Sequence, residues 1–210
     1  RAGRGAGRDD GDCKGAAGLL NRSGFAVRSA AAQPMAETMV VDSLYAHGFA
    51  RVALCAPRMI PADPVSNAQE ILALARRADD ARAALALFPE LTLSGYAIDD
   101  LLMQGALLDA VEESLRWLIE ASRALMPAII VGAPVRVRDA LYNVAIVVHR
   151  GRILGVTPKT YLPNYREFYE KRHFAHGDDA LVDEIEIAGQ RAPFSSALVF
   201  AASDAPLFTF

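Results

Sequence analysis

From residue 51 to the C-terminus, short apolar runs alternate with stretches whose apolar positions recur every three or four residues, and this predicts a layered α/β fold. Residues 51–56 (Arg-Val-Ala-Leu-Cys-Ala) form a short apolar strand closed by Pro57. Ser66 with Gln69 three positions later is a capping-box signal. Ile71, Leu74, Ala75 and Ala78 then repeat at helical spacing, so the pattern predicts a helix to about Arg82. Residues 85–88 read as a buried strand, followed by a long loop through Ser94-Gly95-Tyr96. Leu108, Val111, Leu115, Leu118 and Ile119 mark a second helix that Pro127 ends, and residues 128–132 are the next buried strand.

The period then shortens. Residues 141–148, a turn at Arg150-Gly151 and residues 153–156 predict an antiparallel hairpin. Residues 184–187 alternate charged and apolar, as a half-exposed strand does, and residues 198–201 and 207–210 are the last apolar runs. Strand directions should therefore be mixed, and no internal repeat is visible.

With 210 residues, 52% of them hydrophobic, the chain can bury one core of ordinary domain size. No apolar run reaches the ~18 residues of a membrane helix. A net charge of −3 gives no electrostatic case for nucleic acid or an anionic membrane. Cys13 and Cys55 do not suggest a disulfide framework, so a reducing, cytoplasmic setting is expected. Six Arg or Lys and three Asp fall in residues 1–34, where 15 positions are Gly or Ala and no apolar period exists. Residues 1–38 are accordingly expected to be a flexible or artefactual leader, with the natural start near Met35 or Met39 and the folded domain over 39–210.

Two segments carry candidate chemistry. Glu90 ends the run Leu-Ala-Leu-Phe-Pro-Glu, at the strand end where α/β proteins bind ligands. An acid there is commonly a helix cap or a solvated rim residue. Burial against Phe88, with Pro89 fixing the backbone, would raise its carboxyl pKa toward that of a general base. Lys159 directly follows Val156-Thr157-Pro158 and precedes Tyr161-Leu162-Pro163. It is either a snorkelling surface lysine or an ammonium placed to stabilise a developing oxyanion. Glu170 is its candidate partner, unless it pairs with Lys171 or Arg172. Tyr96 and Tyr165 are loop aromatics that either pack or wall a substrate pocket. Glu90, Lys159 and Glu170 are expected to converge at one rim of the sheet. Cys55, within an apolar strand, reads as a core residue rather than a nucleophile. There is no Walker A, Gly-x-Gly-x-x-Gly or Cys-x-x-Cys motif, and the His173/His176 spacing sits in a loop context that does not favour a metal.

Residues 87–96 (Leu-Phe-Pro-Glu-Leu-Thr-Leu-Ser-Gly-Tyr) and 158–174 (Pro-Lys-Thr-Tyr-Leu-Pro-Asn-Tyr-Arg-Glu-Phe-Tyr-Glu-Lys-Arg-His-Phe) resemble the nitrilase (carbon-nitrogen hydrolase) superfamily. Within it they resemble the N-terminal glutaminase domains of bacterial glutamine-dependent NAD synthetases; residues 44–52 and 98–102 fit that branch too. The resemblance implies an α-β-β-α sandwich and a Glu-Lys-Cys mechanism. Glu90 would be the general base, Lys159 the oxyanion stabiliser, Glu170 the acid that orients the lysine, and Tyr165 and Tyr96 residues of the glutamine pocket. It also implies a homo-oligomer. No cofactor is implied for the glutaminase domain, whereas ATP with Mg would serve a C-terminal synthetase domain that receives the ammonia.

Against that pattern, the sandwich is expected to be incomplete at the C-terminus. The nucleophilic cysteine is expected just beyond Phe210, the synthetase domain to be missing, and the fragment to be inactive. His176 stands where a proline is common in the family. Two other readings are a stand-alone nitrilase-branch amidase or carbamoylase, which the Arg-Glu-Phe-Tyr-Glu-Lys-Arg segment disfavours, and a non-catalytic fragment that assembles with partners.

Overall fold

Three strands lie side by side and parallel because two helices carry the chain back between them: Val52–Leu54 (β1), helix Pro64–Asp80 (α1), Leu85–Leu87 (β2), helix Gly105–Ala121 (α2) and Ala128–Val137 (β3). The chain then reverses twice. Ala140–His149 (β4) pairs antiparallel with β3, and Arg152–Pro158 (β5) pairs antiparallel with β4, giving one mixed sheet ordered β1-β2-β3-β4-β5. Glu184–Ile187 (β6) and Gln190–Pro193 (β7) make a separate two-stranded sheet, tied to β5 by a Val156–Phe194 bridge. This computed structural model describes residues 44–203 and 208–210. The expected leader over residues 1–38, its Cys13 and the candidate starts Met35 and Met39 all lie outside the described residues. Among the described residues no helix is long and apolar enough to cross a membrane.

Both helices cover one face of the sheet. Ile71, Leu72 and Ala75 of α1 and Val111, Leu115 and Leu118 of α2 share one buried cluster with Ala86, Ile129, Val131, Ile146 and Val148 of the strands. Successive strand residues point to opposite faces. Leu85, Ala128 and Val147 therefore belong to a second cluster, where Ile130, Phe200, Phe208 and Phe210 pack. Toward the β1 edge that second face is open, and Leu54 is 80% exposed. One helical layer and its sheet agree with the expected sandwich; no second helical layer lies among the described residues.

The cap of α1 differs from the expected capping box. Asp63, not Ser66, is the N-cap: its carboxylate accepts the Ser66 N–H at 3.1 Å, and Pro64 begins the helix. Those hydrogen bonds from Ser66 hold the Asp63 carboxyl below its ordinary value of 3.8. The cap's contribution is thus present above that value and is lost as pH falls through the lower folded-state pKa. Asp63→Ala should lower the unfolding midpoint at pH 7, and Asp63→Asn, which keeps an acceptor, should recover most of it. Equal midpoints for all three chains would remove the cap's role.

The predicted β4–β5 hairpin is present, its turn made by Arg150 and Gly151 at φ 48° and 79°. β3 runs five residues beyond its expected end, because Pro134 is accommodated opposite Asn143 instead of ending the strand. β6 matches its predicted alternation. Among the described residues, the final apolar runs form an isolated Ala201–Thr209 bridge, with reciprocal Phe200–Phe210 backbone bonds of 2.8 and 2.9 Å and the Ala202 N–H on Phe208 O at 3.1 Å.

Candidate active site

Glu90 sits on a sharp elbow just past β2. Phe88 N–H still bonds Ile130 O across the sheet at 3.0 Å, and Pro89 then removes the next donor. Leu91 turns the chain with a left-handed φ of 50° while its side chain stays 1% exposed. The left-handed conformation costs about 1–2 kcal/mol, and burying a leucine offsets it by about as much. The Thr92 hydroxyl donates to Pro89 O, closing the elbow. Gly132 of β3 lies directly beneath it. A Cβ at Gly132 would stand 2.4 Å from Leu91 N, 2.8 Å from Pro89 O and 2.9 Å from the Glu90 carbonyl carbon. The absence of a side chain there is what admits the elbow.

Lys159 follows β5 directly. Its N–H bonds Asn143 O at 2.8 Å, and its carbonyl accepts from Gly177 N at 3.0 Å. Gly177 is a second close approach: its Cβ would meet Pro158 O at 2.8 Å and Lys159 O at 3.1 Å. With the backbone held on both sides, Lys159 Nζ donates to Glu90 Oε1 at 2.8 Å and Glu170 Oε1 at 3.0 Å, and lies 2.9 Å from Glu170 Oε2. Burial alone would lower the ammonium pKa, but the bonds and charges of Glu90 and Glu170 outweigh it and hold the pKa above the ordinary lysine value. Asn143 donates its side-chain N–H to the same Glu90 oxygen. It is a buried amide in the middle of β4 that sequence reasoning passed over, although a polar residue inside an apolar strand needs partners and so signals a site.

The expected convergence of Glu90, Lys159 and Glu170 is therefore observed. The expected burial of Glu90 is not: Phe88 points into the core, and the Glu90 side chain is 40% exposed. Glu170 is the buried acid, 5% exposed, and it pairs with Lys159 rather than with Lys171 or Arg172. It begins a 3-10 turn, Glu170–Arg172, whose first N–H bonds Pro163 O at 3.1 Å. The Tyr96 hydroxyl donates to Glu170 Oε1 at 2.7 Å; burial first, and then that bond and the carboxylate charges, push the phenol pKa up.

A cavity of about 190 Å³ opens beside Tyr96 and Glu170, walled by Phe168, Tyr169, Asp99 and Phe174 among others. This is below the ~300–1,000 Å³ usual for larger ligands, so it suits a small one. Tyr165 is not part of that wall: its ring is 72% exposed, with the Arg166 guanidinium 5.2 Å above it. Cys55 follows β1 as a half-buried residue rather than a fully buried one, and its thiol faces Ala53 O at 3.9 Å. Burial raises its pKa, with Arg77 opposing, which is the wrong direction for an activated nucleophile.

A lysine held between two carboxylates at the rim of a mixed sheet, with both helices on one face, is what the resemblance to the carbon-nitrogen hydrolases implies. The chain belongs to that family, which its residues 51–196 match. It is 53% identical over 166 residues to the glutamine-dependent NAD(+) synthetase of Mycobacterium tuberculosis, covering 79% of this chain and 24% of the relative. A glutamine-dependent NAD(+) synthetase from Cytophaga hutchinsonii shares the fold at a TM-score of 0.67 and 22% identity, over 74% of this chain and 26% of that one. A mutant of the Nesterenkonia AN1 amidase from the nitrilase superfamily has a TM-score of 0.52 at 25% identity, over 68% and 53% of the two chains. The chain spans about a quarter of the length of the curated mycobacterial relatives it matches.

Proposed function

We propose that this chain is the glutaminase part of a glutamine-dependent NAD synthetase, and that the intact protein hydrolyses the glutamine side-chain amide to supply ammonia. The observation that carries the reading is the Glu90–Lys159–Glu170 contact set. Glu90, reachable from solvent, takes the proton of a cysteine thiol. The thiolate attacks the amide carbon, and Lys159 stabilises the oxyanion that forms. Glu170 orients Lys159. The carbon–nitrogen bond then breaks, ammonia leaves with the transferred proton, and water hydrolyses the γ-glutamyl thioester to glutamate. Tyr96, which borders the cavity, serves the glutamine pocket. In the intact protein, ATP with Mg in a synthetase domain activates nicotinate adenine dinucleotide for amidation, and the complete enzyme is a homo-oligomer. The 53% identity to a named NAD synthetase favours this reading over a stand-alone amidase.

Cys55 is not placed as the nucleophile, and we propose that the intact protein supplies a different cysteine. The 210-residue chain should release no ammonia from glutamine and should resist a glutamine-like diazo-ketone, whereas the full gene product should be labelled stoichiometrically. Mass spectrometry of both proteins checks this. Stoichiometric labelling of the present chain at Cys55 would overturn the assignment.

A further inference from the structure

Three side chains from the segment after Gly95 grip the turn that carries Glu170, across 70 to 74 residues of sequence. Tyr96 bonds Glu170 itself. Asp99 accepts the Tyr169 hydroxyl. Asp100 accepts both Arg172 Nε and Nη2, at 3.0 and 2.9 Å, and lies 3.2 Å from His173 Nε2. Tyr169, Arg172 and His173 flank Glu170 on both sides, so the neighbouring carboxylates Asp99 and Asp100 hold the turn at each end.

An isolated exposed ion pair contributes little. This one differs in two respects. The Arg172 contact is a two-point fork, which fixes orientation as well as distance. The His173 side chain is 5% exposed, so that end of the clasp is anchored in the protein. The segment entering the turn is otherwise held by the Glu170 N–H on Pro163 O at 3.1 Å and a Tyr96–Phe168 edge contact at 6.5 Å, while Tyr165, Phe168 and Tyr169 are all exposed. The left-handed Asp99, φ 48°, begins the 3-10 helix Asp99–Met103, whose first two carboxylates reach Tyr169 before Glu170 and Arg172 and His173 after it.

We infer that Asp100, through Arg172 and His173, is a positioning residue that sets the Glu170 carboxylate on Lys159, with Asp99 and Tyr169 as a second arm; the assignment rests on the reading of Glu170 as the acid that orients the lysine. Residues 99 and 100 never touch Lys159. Their effect on it passes through the turn.

The test reads Lys159 directly and needs no glutamine. Competitive acetylation with limiting acetic anhydride, scored by peptide mass spectrometry against added N-acetyl-lysine, measures how tightly the ammonium is held. Asp100→Asn and Arg172→Met change the local charge in opposite senses, so a long-range field alone would move the Lys159 rate in opposite directions. A positioning role requires both variants to accelerate it, by about threefold or more, with Asp100→Glu restoring part of the wild-type rate. Opposite movements, or no movement in either variant, would sink the proposal. Glu120→Ala, which removes the remote, exposed Arg123 pair at the end of α2, should leave the rate unchanged. Acceleration there would show that labelling reports general loosening, and would also overturn the inference. If Asp100→Asn does not fold, Tyr169→Phe, which removes only the Asp99 arm, must still accelerate labelling for the inference to stand. Glu170→Gln separates the two layers: if it fails to accelerate labelling, the reading of Glu170 fails, and if it accelerates while the Asp100 and Arg172 variants do not, only the latch fails.

Discussion

Lys159→Met should destabilise the 210-residue chain by about 2–3 kcal/mol at pH 7. Methionine keeps most of the lysine stem's packing, so the loss isolates the charge. Glu170, 5% exposed, would keep its Tyr96 bond but lose its cation. Breaking a fully buried pair costs about 3–5 kcal/mol, and the 28% exposure of Lys159 puts this pair at or below that range. The pH dependence has a fixed sign. The Lys159 pKa is raised in the folded protein, so its contribution is complete below the ordinary lysine value of 10.5 and is lost as pH rises through the higher folded-state pKa. Urea unfolding of both chains should therefore show a constant gap through neutral pH that closes in strong alkali. A double-mutant cycle with Glu170→Gln assigns the coupling. A variant as stable as the parent at pH 7 would remove the buried pair from the account of this site. Under the proposed glutaminase reading, the same change in the intact protein should lower kcat by about 10²–10³, the usual loss for an oxyanion contact.

The sequence pattern located the parts of this site better than their surroundings. Lys159 was legible because a lysine directly after an apolar strand and between two prolines has few structural uses. Glu90 was legible for the same reason at the end of β2. Which of the two acids is buried was not legible: side chains alternate along a strand, and the left-handed Leu91 that breaks the alternation announces itself by no residue type. Tyr96 was read as a possible pocket wall, and it does border the cavity, but its hydroxyl is committed to Glu170. Tyr165 looked equivalent in sequence and is instead exposed. Asp63-Pro64 ahead of the first helical repeat was the true cap signal, and the weaker Ser66–Gln69 pattern masked it. Asn143 and Gly132 were both visible as oddities inside apolar strands. A polar side chain or a missing one there points to a close approach from elsewhere, but its partner comes from residues 53 and about 41 positions away, beyond any local pattern.

Gly132→Ala should be the most damaging single methyl that can be added near the site. The new Cβ meets backbone atoms only, and three of them lie within 3.0 Å. None is the far end of a side chain that could swing aside. β3 cannot retreat, because it is paired with β2 on one side and β4 on the other. The elbow must lift instead, and Leu91, buried and already left-handed, leaves the core if it does. Overpacking of this kind costs about 1–3 kcal/mol where neighbours can relax, so a backbone clash belongs at the upper end, about 3 kcal/mol. For a chain of this size that is a fall of roughly 6–12 °C in Tm. Gly105→Ala, whose Cβ meets nothing within 4 Å at the start of α2, serves as the control and should leave Tm unchanged or slightly higher. Lifting the elbow also draws Glu90 from Lys159, so acetylation of Lys159 should quicken in Gly132→Ala while the Gly105 control keeps the parent rate. A Gly132→Ala chain with parental Tm and parental Lys159 labelling would mean that the elbow does not rest on β3, and that Glu90 owes its place to its hydrogen bonds alone.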